Sequence, residues 1–183
     1  MKTILKLFFL FTVLATTVSI SWAESNSVRD PYKYFFNETW GDLPEEIKNA
    51  KTEGKKGLLI FFEMDECPFC HYMKQNVINQ PKVQKYFREH FLNFSVDIEG
   101  DVEMVNFKGE TTKLKDFAFK ENRVRATPVI AFFDLNGKRI HRHTGKTSGV
   151  EEFLWLGEYI VTDTYKTMPF SRYKKQKRAE KNN

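Results

Sequence analysis

The sequence predicts an α/β domain in which a mixed central sheet carries helices on both faces. Three observations lead there. Residues 57–62, Gly-Leu-Leu-Ile-Phe-Phe, are an unbroken apolar run of the kind a central strand needs when both its faces are buried. A helical pattern through Tyr72, Met73, Val77 and Ile78 follows almost at once, so the strand passes into a helix through a short turn. Two later runs, 129–134 and 138–144, flank Asn136-Gly137, a two-residue hairpin signal that makes them antiparallel neighbours. A βα unit, a further strand, a hairpin and a closing helix give a mixed sheet rather than an all-parallel one.

The elements are expected in this order. Lys2 and Lys6 precede an apolar run from 7 to 20, and Ser21-Trp22-Ala23 places small residues where a signal peptidase reads them. Residues 1–23 are therefore expected to be a signal peptide cleaved near Ala23, with an uncleaved membrane anchor as the competing reading. Residues 24–43 read as an extended lead-in. Asp42-Leu43-Pro44-Glu45 opens a helix, with Asp42 as N-cap and Glu45 placed to complete a capping box, and Gly54 ends it. After the strand at 57–62 and the helix that follows Cys70, Pro81 opens another helix whose apolar face is Val83, Tyr86 and Phe87. Residues 91–98 alternate as a strand, 102–112 form a small hairpin around Lys108-Gly109-Glu110, and 114–122 are helical. Ser148 is expected to cap a last helix over 149–161. One domain, 44–165, holds all of this, with no internal repeat.

Composition limits the function. The formal charge is +5 in 183 residues, but the signal and residues 166–183 hold nine of the 29 basic side chains. Without them 20 basic residues stand against 23 acidic ones, so the body is slightly acidic. A nucleic-acid protein would carry positive charge on a folded face with aromatics interleaved, and this body does not. The basic run from Arg172 to Arg178 reads as a solvated, disordered tail, with contact to a membrane surface as the second reading.

Cys67 and Cys70 are the only two cysteines in the sequence. A bridge across two intervening residues closes too small a loop to stabilise a fold much, so the pair is expected to serve chemistry. A strand that delivers Cys-x-x-Cys onto a helix N-terminus favours negative charge on the first sulfur. Cys67 is then the nucleophile, and Cys70, one turn along, resolves the mixed disulfide. His71 reads chiefly as an exposed helix residue. Zinc would require a second ligand pair, which is missing. Cys67-Pro68-Phe69-Cys70-His71 also matches the pattern for covalent haem attachment, and a c-type haem carrier is kept as a minor alternative, although such carriers are mostly helical.

Residues 58–73, the segment Val124-Arg125-Ala126-Thr127-Pro128-Val129, then Asn136-Gly137-Lys138 and Gly145 together resemble the thioredoxin superfamily, in order. Cys-Pro-Phe-Cys-His-Tyr-Met and residues 97–109 are most similar to SoxW-type periplasmic thioredoxins. The resemblance implies a thioredoxin fold with an extra small hairpin before the cis-proline segment. It also implies a cis Pro128 facing the cysteines, and a Thr127 backbone that pairs with an extended substrate, Pro68 and Phe69 sharing that binding surface. Two departures stand out. Phe61 occupies the place of a buried Asp found in many relatives, and Pro68-Phe69 replaces Gly-Pro. Glu63 is the residue expected to accept a proton from Cys70 instead, ahead of Asp65 and Glu66.

The expected function is an exported, periplasmic thiol:disulfide oxidoreductase without cofactor beyond its own Cys67–Cys70 disulfide. It is read as a reductase of protein disulfides, recharged by a membrane electron donor and acting as a monomer. An oxidase or isomerase of secreted proteins is the first alternative, and a binding module with an idle pair the second.

Overall fold

The computed structural model describes residues 27–181, so the expected signal peptide lies outside the described residues. Strand β1 (Gly57–Glu63) is buried along its whole length, as its apolar run requires, and lies inside a four-stranded sheet. It pairs in parallel with β2 (Phe91–Asp97) and antiparallel with β5 (Val129–Phe133), which in turn pairs antiparallel with β6 (Arg139–Thr144). The sheet is mixed, in the order β2-β1-β5-β6. The hairpin expected at 102–112 forms a separate two-stranded sheet, β3 (Glu103–Val105) with β4 (Thr111–Lys113).

Side-chain alternation splits the core into two layers. Leu58, Ile60 and Phe62 of β1 join Leu92, Phe94 and Val96 of β2 on one face, beneath α2 (Leu43–Thr52) and the helical turn α5 (Leu114–Asp116), which a π-helical segment Phe117–Glu121 continues. Leu59 and Phe61 point to the other face. There they meet α3 (Pro68–Met73) with its π-helical continuation Lys74–Ile78, α4 (Pro81–His90) and α6 (Val150–Val161). Phe87 of α4 stacks on Phe153 of α6 at 4.3 Å, at the centre of this second layer.

Four local expectations need correction. The lead-in is not merely extended: it contains a short helix, α1 (Pro31–Tyr34), and Phe35 and Phe36 are buried against Phe87, Phe153 and Phe61. Asn93, fully buried on β2, fixes this strap by donating to Phe35 O, while its own backbone exchanges hydrogen bonds with Asn37. Asp42 caps α2 through the Glu45 N–H (2.9 Å), but the Glu45 carboxylate turns to Lys48, so the capping box is half formed. The β5–β6 connection is a turn from Asp134 to Gly137 closed by the Gly137 N–H on Asp134 O, with only Gly137 at positive φ. A two-residue type I′ loop would need Asn136 there as well. Ser148 does not cap α6. Gly149 takes that place, and the Ser148 hydroxyl donates to Glu152 Oε2 instead.

The largest correction concerns the C-terminal tail. Residues Phe170–Lys181 form helix α7, which packs on α6 and reaches back over the sheet. Phe170 and Tyr173 are buried, and Phe170 lies edge-on to His141 and His143 of β6. Lys174 and Arg178 pair with the buried Glu152, Lys177 with Glu158, and Lys181 with Glu151. The basic residues stay on the folded body because α6 presents carboxylates to them.

Candidate functional site

The site forms where β1 ends. Beyond Glu63 the chain turns through Met64, Asp65 and Glu66, and Cys67 is the N-cap of α3. Pro68 opens the helix, where a missing N–H costs nothing. The Cys70 N–H points at Cys67 Sγ (3.1 Å), and the Cys70 and His71 N–H groups both donate to Cys67 O (3.0 Å each). An amide directed at a sulfur at a helix start stabilises negative charge on it. The two sulfurs are joined as a disulfide, with the Cα atoms 5.2 Å apart. Cys67 is 4% exposed and Cys70 fully buried, so Cys67 is the more accessible residue of the pair. Phe61, on β1 beneath them, belongs to the same apolar cluster as both cysteines.

The Thr127–Pro128 peptide is cis. Because β5 runs antiparallel to β1, its first residue Val129 lies beside Phe62, which brings Pro128 to the end of the sheet from which Cys67 departs. The Pro128 carbonyl accepts from the Gly145 N–H (2.8 Å), tying this loop to the one after β6. Phe69, between the cysteines, is 53% exposed. His71 is exposed, and its Nε2 bonds the Asp65 carbonyl (2.7 Å).

Glu63 is buried at the end of β1, on the face shared with Phe61. Its carboxylate accepts from Tyr32 OH (3.1 Å) and Ser95 Oγ and pairs with Lys74 Nζ (2.6 Å). Lys74 follows Cys70 by four residues, on the π-helical continuation of α3. Burial works to lower the Lys74 pKa, but its bonds to Glu63 and Tyr32 outweigh that and raise it. Tyr32 is raised, first by burial. The hydrogen bonds and ion pair of Glu63 thus run to Tyr32, Ser95 and Lys74, three partners that sequence reasoning missed. Tyr32 comes from the supposed lead-in, which carries no periodic signal. Also missed was Lys146, whose ammonium lies 4.4 Å from the Tyr72 ring centre and 6.0 Å from that of Phe69.

Among the described residues no helix is long and apolar enough to cross a membrane. Among curated proteins no match to the chain is found. Several solved structures resemble it. One is a thioredoxin-fold protein from Helicobacter pylori, at 24% identity and a TM-score of 0.57 over 69% of this chain and 86% of that one. Another is a candidate disulphide-isomerase from Bacteroides thetaiotaomicron, at 27% identity and a TM-score of 0.52 over 69% and 91%. The DsbH oxidoreductase matches at 17% identity and a TM-score of 0.52 over 71% and 88%. The family model described as a thioredoxin-like domain matches residues 43–160, which span the whole sheet, the cysteine pair and the cis-proline loop. The chain belongs to the thioredoxin-like domain family, and it has the thioredoxin fold and disulfide-forming cysteine pair of a thiol–disulfide oxidoreductase.

Proposed function

We propose that the protein is an exported reductase of protein disulfides, with Cys67 as nucleophile and Cys70 as resolving thiol. The observation that carries this reading is the Cys70 N–H aimed at Cys67 Sγ, at the start of a helix and on the more accessible residue of the pair. In the reduced enzyme the Cys67 thiolate attacks one sulfur of a substrate disulfide. That S–S bond breaks, and the departing substrate thiolate takes a proton. Cys70, losing its proton, then attacks the Cys67 sulfur of the mixed disulfide and releases the second substrate thiol. The substrate gains two electrons, and the Cys67–Cys70 disulfide is regenerated. A membrane dithiol donor recharges it. Glu63 is proposed to accept the Cys70 proton, supported by its burial on the cysteine face of β1 and its pairing with Lys74. Pro68, Phe69, Thr127 and Pro128 are proposed to line the substrate strand. Export and the reductive direction are supported by the apolar leader and the likeness to SoxW-type periplasmic thioredoxins.

Single Cys67→Ser and Cys70→Ser variants, expressed in the exported compartment of the native host, test the roles by non-reducing electrophoresis. Cys70→Ser is expected to accumulate high-mass bands that collapse on reduction, because nothing resolves the adduct. Cys67→Ser is expected to give few or none. Equal trapping by both variants refutes the assignment, and no trapping by either favours a binding module. Mass spectrometry of the same material is expected to find Glu24 at the N-terminus.

A further inference from the structure

We propose that Lys146 is a specificity-determining residue, one that selects substrate segments carrying a carboxylate beside their disulfide cysteine. The inference rests on the oxidoreductase reading above and names the substrate class of that same site.

The loop bearing Lys146 is fixed on both sides. Before it, the Gly145 N–H is bonded to Pro128 O, in the loop of the cis peptide. After it, Thr147 is fully buried, its hydroxyl 3.0 Å from Gly149 O and 3.5 Å from the sulfur of Met73 in the cysteine helix. Between these anchors the Lys146 side chain crosses from the cis-proline side of the site to α3, where its ammonium rests against the rings of Tyr72 and Phe69. A cation over an aromatic face is attracted by the negative face of the ring, which holds the charge at the cysteine helix rather than in bulk solvent.

Two further facts make this a recognition surface. Lys146 forms no ion pair with a carboxylate among the described residues, so its charge stays available to a partner. Phe69 is one of few large apolar side chains left exposed, and it stands in sequence between the two reacting cysteines. An exposed ring beside an ammonium suits a side chain with an apolar stem and a carboxylate end. Asp65 and Glu66, in the turn just before Cys67, are exposed. Complementary charge at Lys146 gives selection and register more than raw affinity.

The test uses two disulfide-linked peptides identical except for Glu or Gln next to the cysteine, reduced by the full mature chain with dithiothreitol as recycling thiol. The readout is the ratio of kcat/KM for the two peptides. The wild type is expected to prefer the Glu peptide by up to about fivefold, the range of an exposed ion pair. Added salt at about 0.5 M is expected to shrink that preference. Lys146→Gln is expected to bring the ratio close to one, and Lys146→Glu to invert it, with the thermal unfolding of each variant confirming that it folds. A wild-type ratio of one overturns the inference. So does a Lys146→Gln variant that slows both peptides by the same factor, since the charge would then act on the Cys67 sulfur. If the wild type reduces neither peptide, the oxidoreductase reading itself fails, and the selectivity with it.

Discussion

Acidification is expected to loosen the seat of α7 through His141. This imidazole lies on β6 against Tyr159 and Phe170, and its Nε2 is buried without a hydrogen-bond partner among the described residues. Burial, helped by the nearby His143, lowers its pKa from 6.5 to about 4. His143 is lowered too, first by burial, with Glu152 pulling the other way and Lys174 adding to the fall. The folded state therefore holds both rings neutral. The stability tied to them is fully present above about pH 6.5 and is lost as pH falls toward 4, because the unfolded chain takes up a proton that the folded chain resists. At 1.36 kcal/mol per pKa unit the His141 shift amounts to about 2 kcal/mol between pH 7 and pH 5. Since water reaches part of the ring, about 1–2 kcal/mol is the expected loss. Carboxylates titrate in the same range, so the measurement is a difference. Urea unfolding of the wild type and of His141→Phe is compared at pH 7, 6 and 5. The variant keeps an aromatic ring at the site but has no proton to bind, so its stability should fall less over that interval, by about 1–2 kcal/mol. NMR of the wild-type ring should show no titration above pH 5. Equal pH slopes for the two proteins, or a folded-state ring titrating near 6.5, would refute the argument.

Two other outcomes follow from the packing. Phe153→Ala removes a fully buried ring stacked on Phe87, and the urea midpoint should report a loss of about 3–5 kcal/mol, the range for truncating a buried aromatic. Ending the chain after Met168 removes Phe170 and Tyr173 from the core and leaves Glu152 without Lys174 and Arg178. Burial of two aromatic side chains stabilises by about 3–5 kcal/mol in all, so this truncation should lower the midpoint comparably, whereas a freely solvated tail would leave it unchanged.

The elements that define the fold were legible because their signals are local. The run at 57–62 can satisfy its apolar side chains on both faces only as an inner strand, and it is one. Pro81 opens α4 and the small hairpin turns at Gly109 through backbone preference, and Asp42 caps α2 through its side-chain carboxylate, each the work of one residue. Cys67 and Cys70 were legible as a disulfide-forming pair for the same reason: three positions along a helix start fix their separation whatever surrounds them.

Other features depended on partners distant in sequence. Phe170, Tyr173, Lys174, Lys177, Arg178 and Lys181 share one helical face, a spacing visible in the sequence but hidden within a run of positive charge. Only the placement of Glu151, Glu152 and Glu158 on the facing helix turned that run into a docked element. The apparent lead-in supplied Phe35 and Phe36 to the core and Tyr32 to Glu63, across separations of more than 30 residues for Tyr32. Lys146 reached Tyr72 because Thr147 and Gly145 tie its loop to the cysteine helix and to the cis-proline loop. The sequence by itself determined the strands of the sheet, the starts of α2 and α4 and the cysteine pair, since each is set by local residue preference and periodicity within a few residues. The tertiary structure alone decided which charges are paired and which side chains stand at the sulfurs, because Coulomb and packing energies depend on distances that no local pattern encodes.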